Sequence, residues 1–255
     1  MIHDLTTMTS PEAAVAVARS RTVVLPVGSI EQHGPHLPNG TDTFAAELVA
    51  RAVADRLDAV YAPLVPYGVT PIHAGHPGTV SLRRDTFEAL LTDVCSELIA
   101  LGVRTVVLVN WHEGNIASMN AVATDLQDRH DVTFVAAQAC YVAQRLYRDD
   151  GGELTHGGGI ETLAVLAHDP ALVRAERAGE PTRPAGADAM DRMRRSHEVY
   201  GFITDVSELA DEGWYGNPHW ATAERAESFA DAVADGVVEL VEGVVAARKA
   251  RTDPH

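Results

Sequence analysis

Residues 105–115 read Thr105-Val106-Val107-Leu108-Val109-Asn110-Trp111-His112-Glu113-Gly114-Asn115. The first five are apolar or β-branched without a polar interruption, which predicts a buried strand. Further strands are predicted over 22–27, 59–65 and 132–137, with helical apolar spacing over 44–57, 85–101, 116–127, 161–167 and 225–248. Buried strands that alternate with helices predict an α/β fold: one three-layer α/β/α domain over residues 1–255 with a mostly parallel central sheet.

The composition excludes several classes of protein. The 255 residues include 20 Lys and Arg against 36 Asp and Glu, a formal charge of −16, which argues against nucleic acid or an anionic membrane as partner. Cys95 and Cys140 stand far apart, so we expect no disulfide framework. The chain has no apolar run long enough for a membrane span, and its first residues lack the pattern of a secretory signal. We therefore expect a cytoplasmic protein.

The loop after the first predicted strand carries candidate metal ligands. Glu31 and His33 lie two residues apart, and Asp42 follows in the same Gly/Pro-rich segment. Parallel sheets place their ligand sites beyond the carboxyl ends of the strands. Carboxylate oxygen and imidazole nitrogen suit Zn, Mn or Fe, and an Asp can bridge two such ions. Alternatively, Glu31 and His33 are polar loop residues and Asp42 caps the following helix.

Two further segments place His near Glu in loops. His112 and Glu113 follow the strand at 105–109, and His156 precedes Glu161 across three glycines. The alternatives are a hydrogen-bonded His in a turn and a glycine-rich junction between two helix caps. The HGGG of lipases would need a G-x-S-x-G nucleophile, which is absent, and no dinucleotide or Walker A loop occurs. The three segments together favour a dinuclear metal hydrolase.

Two other segments are weaker signals. His76 lies in a Pro/Gly turn where it can line a pocket, although surface histidines are common. Residues 174–200 are rich in Arg, Glu, Pro and Gly without a clear period. This segment is interpreted as a solvated loop, with a lid or an oligomer contact as alternatives.

The ordered motifs resemble those of the creatininase family of metal-dependent amidohydrolases. The matching segments are 26–38 with Thr41-Asp42, 76–82, 110–115, His156-Gly157-Gly158-Gly159-Ile160-Glu161-Thr162 and 216–222. The resemblance implies the family's fold and a homo-oligomer, commonly a hexamer. It also implies a small-molecule substrate and two divalent ions, which are Zn, Mn or Fe.

The resemblance also implies roles for individual residues. One metal would be held by Glu31, Asp42 and His112, and the second by His33 and by Asp42 as a bridge. Creatininase has a further ligand Glu where this chain has Gly114, so Glu161 is the expected remaining ligand, with Glu113 as the alternative. His156 matches a histidine that transfers a proton to the leaving group, and Glu113 could instead relay protons.

The resemblance defines the substrate less narrowly than it defines the metal ligands. The predicted substrate-binding residues are His36, His76, Trp111 and Trp220. We expect hydrolysis of a C–N bond in a small cyclic amide, a formamide or a peptide-like substrate. Among these, a non-peptide, cyclic substrate is the first expectation. The alternatives are opening of a cyclic polyol ketone (an inosose), a peptidase of the mycofactocin-precursor type, and a non-catalytic metabolite-binding protein. No Trp stands just before His156, so creatinine is a doubtful substrate.

Overall fold

A parallel sheet forms the centre of the molecule. The computed structural model describes residues 2–196 and 201–252. Its strands are β1 His3–Asp4, β2 Thr22–Val27, β3 Val60–Tyr61, β4 Thr105–Asn110 and β5 Thr133–Gln138, in the order β1-β3-β2-β4-β5. Every pair of neighbouring strands is parallel, and β2 and β4 pair along their whole length from Thr22 opposite Thr105 to Val27 opposite Asn110.

Helices cover both faces of this sheet. The α-helices of the described residues are α1 Ser10–Ser20, α2 Thr41–Arg56, α3 Arg84–Ala100, α4 Ile116–Arg129, α5 Ala139–Tyr147, α6 Gly159–His168, α7 Ala187–Ser196, α8 Ala223–Glu227 and α9 Phe229–Thr252. The buried side chains of α2, α5, α6 and α9 form one apolar core, and those of α1, α3 and α4 form the other.

The strand residues divide between the two cores in alternation. On β4, Val107 and Val109 join the first core, whereas Val106 and Leu108 join the second. Successive strand side chains point to opposite faces of a sheet, and both sets are fully buried. The predicted three-layer α/β/α architecture with a mostly parallel sheet is therefore confirmed.

Several elements differ from the sequence prediction. The strand predicted over 59–65 is reduced to Val60–Tyr61, and α1 and α5 were not predicted. Helix α5 follows β5 directly, so no Gly or Pro marks the change of period. The helix predicted over 225–248 is two helices that meet at Ser228, and α3 begins at Arg84 with Arg83 as its N-cap rather than Asp85.

The segment 174–200 is not only loop. It contains α7, while residues 197–200 of the predicted segment lie outside the described residues. Across the part of the chain that the structure describes, every helix is too short or too polar to cross a membrane.

Candidate functional site

Side chains from four segments meet at the carboxyl ends of β2 and β4. Glu31 and His33 lie in the loop after β2, and His112 follows β4 by two residues. Asp42 lies in the first turn of α2 and Glu161 in the first turn of α6. The N-cap of α2 is Gly40 and no side chain caps that helix, so Asp42 is not its cap. All five side chains are buried.

Asp42 lies between the two histidines. Its Oδ1 is 3.4 Å from Nε2 of His33, and its Oδ2 is 3.1 Å from Nδ1 of His112. Nε2 of His33 also lies 3.6 Å from Oε2 of Glu161, and Nδ1 of His112 lies 3.4 Å from Oε2 of Glu31. In each of two triads, Glu31–Asp42–His112 and His33–Asp42–Glu161, the potential ligand atoms lie within 4.8 Å of one another. The triads share Asp42, the arrangement that a bridged pair of ions requires.

The backbone sets the orientation of both histidine rings. Nδ1–H of His33 donates to the carbonyl of Glu31 at 3.0 Å, and Nε2–H of His112 donates to the carbonyl of Val69 at 3.1 Å. Because a carbonyl only accepts, the other nitrogen of each neutral ring turns its lone pair toward carboxylates. Metal-binding histidines typically show this arrangement. Oε2 of Glu31 and Nε2 of His33 are also buried without a hydrogen-bond partner, so the site fits divalent cations.

Neighbouring charges strongly shift the pKa values of the site's ionisable groups. Burial opposes the charged form of His33, but the negative charges of Asp42 and Glu161 outweigh it and raise the pKa of His33 to about 10. Burial likewise opposes ionisation of Asp42, but the charge of His33 and hydrogen bonds from the histidines lower the pKa of Asp42 to about 2. The pKa of His112 is raised in spite of burial, because Glu31 and Asp42 face it. The carboxylates around His33 and His112 therefore favour positive charge at both rings.

Glu161, rather than Glu113, lies next to His33. Burial raises the pKa of Glu161 to about 8, and its Oε2 accepts a hydrogen bond from the backbone N–H of Gly157. The resemblance implies a ligand Glu in the family at the position of Gly114, but a Cβ there would lie 2.1 Å from the carbonyl oxygen of Val69. No side chain fits at position 114 in this backbone, which favours Glu161 as the ligand.

The carboxylate of Glu113 pairs with two arginines and a tyrosine hydroxyl. It pairs with Arg194 and, at 3.1 Å, with Arg195, both on α7, and it accepts a hydrogen bond from the hydroxyl of Tyr141. Burial opposes ionisation of Glu113, but the two arginines outweigh it and lower the pKa of this carboxyl. Both oxygens of Glu113 therefore have partners, and these are not the residues of the two triads.

His156 lies beside the triads and next to His73, which is not among the predicted site residues. The centroid of the His156 ring lies 4.3 Å from that of His33, with the two planes tilted by 32°, and 4.2 Å from that of His73, on which it stacks. Its Nε2–H donates to the carbonyl of Gln32 at 2.6 Å, which leaves Nδ1 3.7 Å from Oε1 of Glu31. Burial lowers the pKa of His156, and the neighbouring histidines lower it further.

His73 carries its proton on the opposite nitrogen. The side-chain amide of Gln32 donates to Nδ1 of His73 at 3.1 Å, because the amide oxygen of Gln32 already accepts from the N–H of Gly34. In the neutral ring, Nε2–H of His73 therefore faces Oε1 of Glu31 at 3.7 Å. The segment Pro71-Ile72-His73, next to the His76 turn, was the only sequence signal for this residue.

A cavity of about 200 Å³ opens onto the triads. Trp111 lines this cavity, together with His73, Arg194 and Arg195. The other predicted substrate-binding residues are not among the described residues that line it. These are His36, which bonds the Gly157 carbonyl and packs on Trp214, His76, which lies against Gly213, and Trp220, whose indole N–H donates to the Asp150 carbonyl.

Comparison with known proteins points to one family. The sequence profile described as "Creatininase: Creatinine amidohydrolase" matches residues 6–241. The chain is 33% identical over 225 residues to a mycofactocin precursor peptide peptidase of Mycolicibacterium smegmatis, covering 86% of this chain and 83% of that protein. It is 27% identical over 250 residues to a creatinine amidohydrolase of Pseudomonas putida, covering 90% of this chain and 92% of that protein.

A third relative and the solved structures agree with this. A 3-dehydro-scyllo-inosose hydrolase of Thermotoga maritima is 27% identical over 266 residues, covering 94% of this chain and 82% of that protein. A crystal structure of creatinine amidohydrolase matches with a TM-score of 0.74 at 27% identity, covering 94% of this chain and 96% of that one. A creatininase structure with Mn matches with a TM-score of 0.75 at 25% identity, over 95% and 98% of the two chains.

Proposed function

Because the chain belongs to the creatininase family of hydrolases, we propose that it uses two divalent ions to hydrolyse an amide-type C–N bond of a small substrate. The observation that carries this proposal is the position of Asp42, whose two oxygens face His33 and His112 from within two separate triads. A binding protein without catalysis would not need this full set of buried ligand atoms.

Each proposed ion has three protein ligands. Glu31, Asp42 and His112 would hold one, and His33, Asp42 and Glu161 the other. Nitrogen and carboxylate oxygen suit Zn, Mn and Fe, and solved creatininases include a Mn form and a Zn–Zn form. Divalent ions at such centres acidify water and polarise a substrate carbonyl.

His156 is the proposed proton carrier. Its Nε2–H is fixed on the Gln32 carbonyl, so Nδ1 is the atom free to take up and release a proton beside Glu31. Burial keeps the ring neutral, and a neutral imidazole can accept a proton and pass it to the departing nitrogen. Nε2–H of His73 faces Glu31 at 3.7 Å, longer than a hydrogen bond, and the His73 ring stacks on that of His156.

The relatives support one substrate class ahead of the others. Similarity to the mycofactocin precursor peptide peptidase at 33% identity supports a peptide-like amide, whereas the creatinine and inosose enzymes are each 27% identical. We therefore place a peptide-like C–N bond ahead of the non-peptide cyclic bond expected from the sequence. Cleavage of a C–C bond in a cyclic polyol ketone is the second candidate, because the inosose relative spans 94% of this chain.

The test is chelation and metal rescue over a substrate panel. The panel contains short peptides, N-formyl amines, lactams, creatinine and inososes. We expect turnover of an amide member that a chelator abolishes and that Zn or Mn restores. Turnover restricted to inososes would establish the second candidate, and turnover that survives complete metal removal would contradict the proposal. The homo-oligomer and the cytoplasmic location stay predictions.

A further inference from the structure

Two arginines on α7 share the cavity with the metal triads. Arg194 and Arg195 both line the cavity, which they enter from a segment that has no part in the triads. Each arginine side chain is about three-quarters buried, with 23% and 22% exposed. Arginine is seldom buried without a partner or a ligand, so the partners of this pair are informative.

Carboxylates hold the pair but leave donors free. Arg194 donates to Glu113 through Nη1 and to Asp191 through Nη2, and Arg195 donates to Asp191 through Nε and pairs with Glu113 through Nη1. The network of two guanidinium groups and two carboxylates has no net charge. A guanidinium has more N–H donors than these contacts use, so the network fixes the arginines in place without saturating them.

The cavity wall contains polar atoms that have no partner. Among the described residues that line the cavity, six buried polar atoms have no hydrogen-bond partner: Nε of Arg194, Nε1 of Trp111, Oε2 of Glu31 and the hydroxyls of Thr70, Thr155 and Tyr215. Nε of Arg194 and Nε1 of Trp111 are donors only, the three hydroxyls can donate or accept, and Oε2 of Glu31 belongs to a triad. A buried donor without an acceptor costs free energy, and water or a ligand that enters the cavity removes that cost. Outside the triads, every unpartnered atom of the wall can donate, so this part of the wall favours a ligand group that accepts.

We propose that Arg194 and Arg195 recognise a carboxylate on the substrate, so that the preferred substrate is an anionic amide. This inference rests on the proposed function, because it places the amide at the triads and the carboxylate at α7. A carboxylate offers only acceptors and matches the planar N–H pattern of arginine. Glu113 and Asp191 are positioning residues, since they act by holding the two guanidinium groups.

The test measures binding of paired ligands to the metal-loaded protein. Each ligand has a hydroxamate head, which binds metal, and a tail that ends in either a carboxylate or a carboxamide, with two to four methylenes between the ends. Dissociation constants are measured by calorimetry. For the best-fitting length, we expect the carboxylate tail to bind at least about fivefold more tightly than the carboxamide tail, as for a charge-assisted hydrogen bond.

Variants then assign this preference to the arginines. Arg194→Gln and Arg195→Gln should each reduce the ratio to below about twofold, whereas Arg192→Gln, on the exposed side of α7, should keep it. Circular dichroism and metal content check each variant. Because the loss of one arginine leaves Glu113 uncompensated, the pair Arg195→Gln with Glu113→Gln restores neutrality and should also show the reduced ratio.

The outcomes separate the two proposals. Equal binding of both tails by the unmodified protein, or a preference that persists in both Gln variants, would overturn the carboxylate site and leave the metal centre intact. Failure of the protein to take up metal, with no hydroxamate bound, would overturn the metal centre, and the carboxylate site with it.

Discussion

Nε2 of His33 lies 3.4 Å from Oδ1 of Asp42, and both side chains are almost completely buried. The backbone carbonyl of Glu31 takes the other ring N–H of His33, so the neutral ring offers a lone pair to a carboxylate. Two acceptors at this distance repel each other unless a cation lies between them. The raised pKa of His33 shows that a proton can meet this need, and under the proposed function a metal ion would take its place.

Metal binding should therefore release protons. Without metal, the pKa values of His33 and Glu161 are raised to about 10 and about 8, and that of His112 is also raised. All three groups hold a proton at pH 7, and a ligand must lose it. We expect loading to release about three protons per chain and the apparent metal affinity to increase with pH above 7.

Calorimetry in buffers of different ionisation enthalpy counts these protons. Asp42 and Glu31 have lowered pKa values and are already ionised at pH 7, so they should contribute none. An affinity that does not change with pH, with no proton release, would contradict the assignment of the histidines as ligands.

His156 should affect turnover but not metal content. His156→Ala removes the proposed proton carrier, and we expect a loss of about 100-fold or more in kcat with the metal stoichiometry unchanged. His130→Ala, an exposed position at the end of α4, is the control. If His156→Ala lost a metal ion instead, His156 would be a ligand, a role that its grouping with Glu31 and His33 allows.

Gly114 should not tolerate a side chain. A Cβ at this position would lie 2.1 Å from the Val69 carbonyl and 2.5 Å from Nε2 of His112. We expect Gly114→Ala to lower the free energy of unfolding by about 1–3 kcal/mol, measured in urea. Gly179→Ala, where a Cβ meets nothing within 4 Å, should change it by less than about 0.5 kcal/mol. Equal effects of the two substitutions would contradict the close approach.

Glu113 should hold α7 rather than a metal. Glu113→Gln removes the charge that binds Arg194 and Arg195, so we expect faster hydrogen exchange over residues 187–196 with full metal content. Glu180→Gln, at an exposed position, should leave the exchange unchanged. A loss of one metal ion in Glu113→Gln would show that Glu113, not Glu161, completes the second site.

The sequence predicted the layers of the fold and the five side chains that make up the two triads. Both follow from local pattern: the run at 105–109 predicts a buried strand, and His112 then lies just past its carboxyl end. Glu31, which leaves the neighbouring strand at the same edge, is brought to His112 by the parallel pairing of β2 with β4.

Other parts of the site depend on contacts that have no local period. His73 comes from a short turn, and Arg194 and Arg195 come from a helix inside a segment whose composition resembles a loop. Their placement is set by Gln32, Glu113 and other distant side chains. His36 and Trp220 are residue types common in binding sites, yet their ring nitrogens form hydrogen bonds with backbone carbonyls.

Metal stoichiometry tests the central proposal most directly. Purified protein loaded with Zn or Mn is measured by elemental analysis beside Glu161→Gln and Asp42→Asn. We predict two ions per chain in the unmodified protein, loss of one ion in Glu161→Gln, and loss of both in Asp42→Asn because the two triads share that carboxylate. One ion or none in the unmodified protein, or an Asp42→Asn variant that keeps both ions, would contradict a dinuclear centre bridged by Asp42.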